Sequence, residues 1–365
     1  MCNLFASGKG IRAGILRIKP TLQLDTGYES NVYLTYESGS PGDFFVSPFV
    51  ELKIVLPFLT HSFSFGVNYS YINYFHEKKQ SGSSYNFFGD LDMNFIGGLS
   101  FDIAEKYSYT EEPILGNYEV VSSRLPHNTN TLSPSIIYKI PSGAITSRFN
   151  FQWILDSFPT QPDYDRTMYK FNLGTVYRFL PKTGLYFDLN IINVGKKNNG
   201  GISSTKYGGE IGLKGLITPR LSATAGFGWK YGEYSDGSLE NEPVIRLSLE
   251  ERFSQIMKMS LSYLRMTNDS FISDFYVLNM VKLSLWRALT ATIATDITLK
   301  WWLVDYSPST QKDNNYNAKV SINYSPAVAT WLSGTFSYVF SKRDSNVEAF
   351  RYTDHKIFLG VKLSW

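Results

Sequence analysis

Cysteine is almost missing from these 365 residues. Cys2 stands alone, which excludes a disulfide within the chain and a cysteine metal cluster. Histidine is nearly as scarce: His61, His76, His127 and His355 scatter over turns, loops and one strand, with no pair at metal-ligand spacing. No run of eighteen apolar residues occurs and mean hydropathy is -0.17, which excludes a bundle of membrane-crossing helices. The oiliest stretch, 278–297, is broken by Lys282, Arg287 and Asp296. Charge of one sign is also in short supply. A net +3 without a long basic run argues against nucleic acid as a partner. Met1 to Gly14 has no apolar core of an export signal, so an exported chain is expected to have lost its leader. No apolar segment precedes Cys2, so it is not read as a lipidation site.

What is abundant is aromatic: 16% of residues, including 25 Tyr and 26 Phe, more than a soluble core needs. Tyr and Trp favour places where apolar surface meets water. The apolar residues also alternate. At the C-terminus Ile357, Leu359, Val361, Leu363 and Trp365 interleave with Lys356, Phe358, Gly360, Lys362 and Ser364. A strand has a side-chain period of two, so such a segment turns one face to oil and the other to water. The pattern recurs through the chain. In 61–71, Phe63, Phe65, Val67, Tyr69 and Tyr71 oppose Ser62, Ser64, Gly66, Asn68 and Ser70; in 245–250, Ile245, Leu247 and Leu249 oppose Arg246, Ser248 and Glu250. Charges in mid-strand, all on one face, do not fit a soluble sandwich, whose inner face must be dry.

The fold class expected is all-β: a transmembrane antiparallel up-and-down barrel of about 18 strands, with short periplasmic turns and longer outer loops. The strands are expected near 15–28, 43–56, 62–75, 85–95, 99–111, 131–140, 144–157, 167–180, 185–197, 205–217, 220–233, 243–253, 258–267, 273–285, 289–304, 315–325, 330–342 and 350–365. Residues 1–14 would form an N-terminal periplasmic segment and 15–365 the barrel. Tight connections such as Pro141-Ser142-Gly143 and Pro181-Lys182-Thr183-Gly184 alternate with longer polar ones. Pro20, Pro48 and Pro134 fall within strands, where a lost ladder donor calls for a bulge or an end position.

Parity then assigns the water-facing wall of a channel. Its basic side chains include Arg17, Lys19, Arg148, Arg178, Arg246, Lys300, Lys319, Lys356 and Lys362, and its acidic ones Glu51, Asp90, Asp92 and Asp102. Lys356, Lys362, Arg17 and Lys19 should share an arc across the closing seam, extended by Lys319 and Lys300, with the three aspartates opposite. A solvated wall with charges paired between strands would give the same residues. The connection 112–128 is longer and more apolar than the others, and a constriction at the mouth or a cap over it are both open.

No enzyme signature emerges. His61-Ser62 lies at an expected periplasmic turn, and Asp90 with Asp92 is what any alternating wall produces. Gly208-Gly209 and Gly226-x-Gly228 lie in strands and precede no helix, so they relieve crowding rather than hold phosphate. No cofactor or metal is expected.

The first hairpin carries Leu24-Asp25-Thr26-Gly27-Tyr28-Glu29-Ser30-Asn31-Val32-Tyr33, followed by Phe44 to Leu56 with Ser47-Pro48. It resembles the opening of the putative β-barrel porin families of Gram-negative bacteria. The aromatic-ended last strand, with Val361, Leu363 and Trp365, resembles the C-terminal signal of outer-membrane barrels. The resemblance implies location in the outer membrane among its lipids and delivery by the barrel-assembly machinery. It also implies a porin-like channel for small polar or anionic solutes. Some relatives are linked to exopolysaccharide systems, which implies polymer export with periplasmic polysaccharide-export proteins as the alternative. A structural sleeve around a cytochrome or lipoprotein partner is a third reading.

Overall fold

The computed structural model describes residues 10–35, 40–111, 113–114, 121–124, 126–196, 203–270 and 273–365. Its wall consists of eighteen long strands. They are β1 (Leu16–Glu29), β2 (Asp43–Pro57), β3 (His61–Tyr74), β4 (Gly82–Asn94), β5 (Leu99–Thr110), β6 (His127–Lys139), β7 (Ile145–Ser157), β8 (Arg166–Leu180) and β9 (Thr183–Lys196). The second half is β10 (Ser204–Leu216), β11 (Leu221–Tyr234), β12 (Leu239–Ser254), β13 (Met257–Asp269), β14 (Phe275–Ala288), β15 (Ile293–Ser307), β16 (Lys312–Tyr324), β17 (Leu332–Ser345) and β18 (Tyr352–Ser364).

Every strand is antiparallel to its neighbours in sequence. β1 also pairs with β18, from Thr21↔Ser364 to Glu29↔Lys356, so the sheet is a closed barrel. Closure leaves no edge strand, which matters where no water can satisfy a free N–H or C=O. Connections at one end are short, such as 181–182 and 255–256. Those at the other include 30–42 and 111–126. These are called the short-turn and long-loop ends below.

The outward face decides between a membrane wall and a soluble sandwich. On β3, Phe63, Phe65, Val67, Tyr69 and Tyr71 are each between 36% and 47% exposed, with no second sheet against them. The same apolar exposure runs through Phe171, Leu173 and Tyr177 of β8 and Ile357, Leu359 and Val361 of β18. Trp365 lies parallel to Trp331 at 6.2 Å between ring centroids, and its N–H donates to the Pro20 carbonyl where the barrel closes. Pro48 and Pro134 sit where the ladders to β3 and β7 skip two positions without changing register. The lost donors are therefore absorbed by an interruption, with no bulge.

Part of the segment read as N-terminal and periplasmic is strand. Ile11–Ala13 turns back and pairs with Leu16 to Ile18 on β1, extending the sheet beside the end of β18. Residues 1–9, Cys2 among them, lie outside the described residues, as do 112, 115–120 and 125 of the 112–128 connection. Of that connection, Pro113–Ile114 and Val121–Arg124 form a small ribbon.

Candidate channel lumen

Burial divides the inner face into two zones. At the long-loop end it is dry almost all the way round: Phe45, Tyr74, Asp156, Met168, Val194, Lys206, Glu240, Leu278, Val304, Asp313, Asn315, Arg343 and Asp354 are all buried. Charges there are paired. Arg166 meets Asp156 at 2.7 Å, Arg343 meets Asp313 at 2.6 Å, and Lys356 meets Glu29 at 2.9 Å while lying over the Phe45 ring. Outside the wall, the Tyr33 hydroxyl donates to Glu77 at 2.7 Å, and that carboxylate holds the phenol above its usual pKa.

A folded-in hairpin accounts for much of this packing. The β12–β13 ladder stops at Ile245↔Arg265, although β12 continues to Leu239 and β13 to Asp269. Pro243, which has no N–H to give, lies in the unpaired stretch of β12. Beyond that point β13 leans across the inner face of β12, β11 and β10. The Thr267 hydroxyl donates to Glu240, Lys230 Nζ donates to the Thr267 carbonyl at 2.9 Å, and Asp269 ion-pairs with Lys206. Ser204 also donates to Asp269, and Tyr234 stacks on Phe275 of β14 at 5.6 Å. Lys206 and Glu240 are fully buried and 3.2 Å apart. Charges so placed are held by the pairing itself, since either one alone would carry its full desolvation penalty. Arg265 bridges the parted seam, giving one arm to Glu242 at 2.8 Å and another to Asn279 at 3.2 Å. The lumen side of this hairpin is apolar, with Tyr276, Leu278, Met280, Val304 and Tyr306 packed together.

Toward the short-turn end the inner face is wet and basic. Arg17, Lys19, Lys139, Arg148, Arg178, Lys214, Arg246, Arg252, Lys319 and Lys362 are exposed there, against two exposed acids on that face among the described residues, Asp92 and Asp188. The other acids are partly covered and engaged. Asp102 meets Arg148 at 3.6 Å, Glu210 meets Arg246 at 3.1 Å, and Glu250 meets Lys258 at 2.8 Å. Like charges also face each other across ladders: Lys19↔Lys53, Lys282↔Lys300 and Asp92↔Asp102. Such pairs are disfavoured unless water screens them.

The register locates the residues singled out from sequence. Arg17, Lys19, Lys362 and Lys319 share the inner face around the β18–β1 seam, and Glu51 lies opposite Thr21 on β2. Lys300 on β15 is half-buried beside Lys282 and Lys319. Lys356 does not join this wet arc, because Glu29 and Phe45 take it into the packed end. Nor do the aspartates stand opposite the seam. They lie on β4 and β5, three to four strands from β1 and well short of half-way round an eighteen-strand ring. Lys206, Glu240, Asp269, Asp313 and Arg343 are not singled out by the sequence, since all but Lys206 fall in segments expected to be loop. All five lie within three residues of a strand end.

The strand glycines have a visible purpose. Tyr186 of β9 lies flat over β10 and β11, so that a Cβ on Gly212 would meet its ring and one on Gly226 would overlap its hydroxyl. That hydroxyl donates to Glu210. No group of three or more His, Cys, Asp or Glu among the described residues is placed to hold a metal ion.

Residues 7–365 match the family described as putative beta-barrel porin 2. The chain belongs to this family. No curated protein is significantly similar in sequence. Among solved structures the chain is similar in fold to three outer-membrane proteins. Pseudomonas aeruginosa OccK2 (OpdF) in complex with glucuronate has a TM-score of 0.55 at 11% identity, over 95% of this chain and 98% of that one. P. aeruginosa OpdK with vanillate gives 0.52 at 9%, over 95% and 99%. Acinetobacter baumannii OccAB3 gives 0.54 at 9%, over 97% and 100%. At these identities the likeness establishes the porin-like barrel fold, which implies the Gram-negative outer membrane.

Proposed function

We propose that this barrel is a passive channel for small anionic solutes, closed at rest at its long-loop end. The observation that carries the reading is the charge of the wet inner zone, where exposed basic side chains far outnumber the exposed acids Asp92 and Asp188. A wide barrel leaves an aqueous interior unless filled, and a wall of one sign concentrates counter-ions within it. With the short-turn end periplasmic, as in outer-membrane barrels generally, the basic zone is a periplasmic vestibule and the packed zone faces outward. The glucuronate and vanillate bound by the fold neighbours are carboxylates, which fits the same preference. The dry packing that runs almost all the way round the outer end favours small solutes over a standing polymer duct. Val361, Leu363 and Trp365, on the outward face beside the closing seam, are placed for the assembly machinery to reach.

Liposome swelling tests this reading. Vesicles holding the purified barrel should swell faster in glucuronate than in glucose or glucosamine of similar size. Equal rates for all three, or a preference for glucosamine, would remove the anionic assignment.

A further inference from the structure

At the short-turn end one row of the ladder reads Arg178, Gly184, Lys214, Thr224 across β8 to β11, all on the inner face. Two cations thus flank a position that has no side chain. Neighbouring strands are about 4.8 Å apart, so the flanking backbones are about 10 Å apart across Gly184. Both long side chains can reach a small ion placed there. Tyr186 lies one row further in, Val176, Thr183 and Thr224 line the space, and Lys182 in the turn stands at its mouth. The recess has a volume of about 310 Å³, and no carboxylate lines it.

The cations of the recess also lack acid partners among the described residues, as do Arg17, Lys19, Lys139, Lys319 and Lys362, whereas four others of the wet zone are paired. Arg148, Arg246, Arg252 and Lys258 on the same face each meet an acid. Among the described residues Arg178, Lys182 and Lys214 meet none within 4.0 Å. Two of them are nonetheless anchored. Arg178 lines the recess while its Nη1 donates to the Gly143 carbonyl at 2.9 Å and to Thr146 on the β7 side, and Lys214 Nζ lies 5.7 Å from the centre of the Tyr186 ring. Guanidinium and ammonium groups held either side of a vacant, hydroxyl-edged floor suit an oxyanion, which takes charge-assisted hydrogen bonds from both.

We infer that this recess binds one small oxyanion, a phosphate or a carboxylate, over Gly184 between Arg178 and Lys214, with Lys182 guarding its exit. Its use as the last station before an anionic solute leaves the vestibule rests on the channel reading. Its occupancy does not, because binding needs no conduction.

Calorimetric titration of inorganic phosphate into the purified barrel in neutral detergent tests it. Saturable binding is expected, weakened about tenfold or more by Arg178→Gln with Lys214→Gln. Gly184→Val keeps all three cations and fills the floor, and should weaken binding as much. Lys139→Gln removes an exposed inner-face cation at the same end but outside the recess, and should leave affinity unchanged. Folding is checked by heat-modifiable migration. If Gly184→Val fails to fold, the comparison of Arg178→Gln with Lys139→Gln decides alone. A folded Gly184→Val barrel that binds like the parent, or a Lys139→Gln loss equal to that of Lys214→Gln, would replace the site with a diffuse field. Repeating the titration in phosphatidylglycerol-doped micelles separates the sources. Competition assigns the recess to a lipid headgroup phosphate, and undiminished binding assigns it to a free anion. A barrel that binds phosphate yet never conducts would refute the channel and leave the site standing.

Discussion

A side chain that is absent does as much in this wall as one that is present. Gly212 and Gly226 make room for Tyr186, which ties β9 to Glu210 and, through it, to Arg246 of β12. Gly226→Val would put branched carbons where that ring and hydroxyl lie. Overpacking of this kind costs about 1–3 kcal/mol, so the urea midpoint of the barrel in lipid vesicles should fall. An unchanged midpoint would mean that Tyr186 swings freely into the lumen. Glycines in strands gave the sequence reader a reason to expect close approach. Which aromatic approached could not be read, because Tyr186 lies on β9 and its partners two strands away, at Gly226 of β11.

Elements repeat the lesson at larger size. Strand boundaries were largely legible, since a period of two carries through every strand and Gly and Pro mark the tight turns. The misses fall mostly at the long-loop end, where β6 begins at His127 and β12 at Leu239, each four residues before the expected start. Polar residues there looked like loop, yet they continue the ladder above the zone that needs oil. The inward hairpin of β13 and β14 was not legible. Thr267 and Asp269 alternate like lumen residues of any strand, and the parting of a seam is a contact between segments about sixty residues apart. The hairpin is expected to be the closure. Lys206→Met strips Asp269 of its partner and should loosen it, raising open probability in planar bilayers. Oxidised Ser204→Cys with Asp269→Cys, placed where the native oxygens are 3.3 Å apart, should hold the channel quiet until reduced. Conductance indifferent to both changes would show that the hairpin does not obstruct the pore. Losing one member of a buried ion pair costs about 3–5 kcal/mol, so Lys206→Met should also lower the unfolding midpoint.

For the molecule as a whole, two environments share one tube: a packed long-loop end with its ions matched, and a wet short-turn end with its cations in surplus. The alternation of the chain announced the tube. It did not announce how far the charges were already spent on one another, which depends on register across strands. At this scale Lys19→Glu with Lys362→Glu should reduce anion preference without changing the fold, since both side chains are exposed on the inner face and hold no ion pair among the described residues. Circular dichroism and heat-modifiable migration should match the parent. The most direct test is the reversal potential of single channels in a planar bilayer under a potassium chloride gradient. A value displaced toward the chloride equilibrium potential is expected, and one displaced toward potassium would contradict a basic vestibule that selects anions.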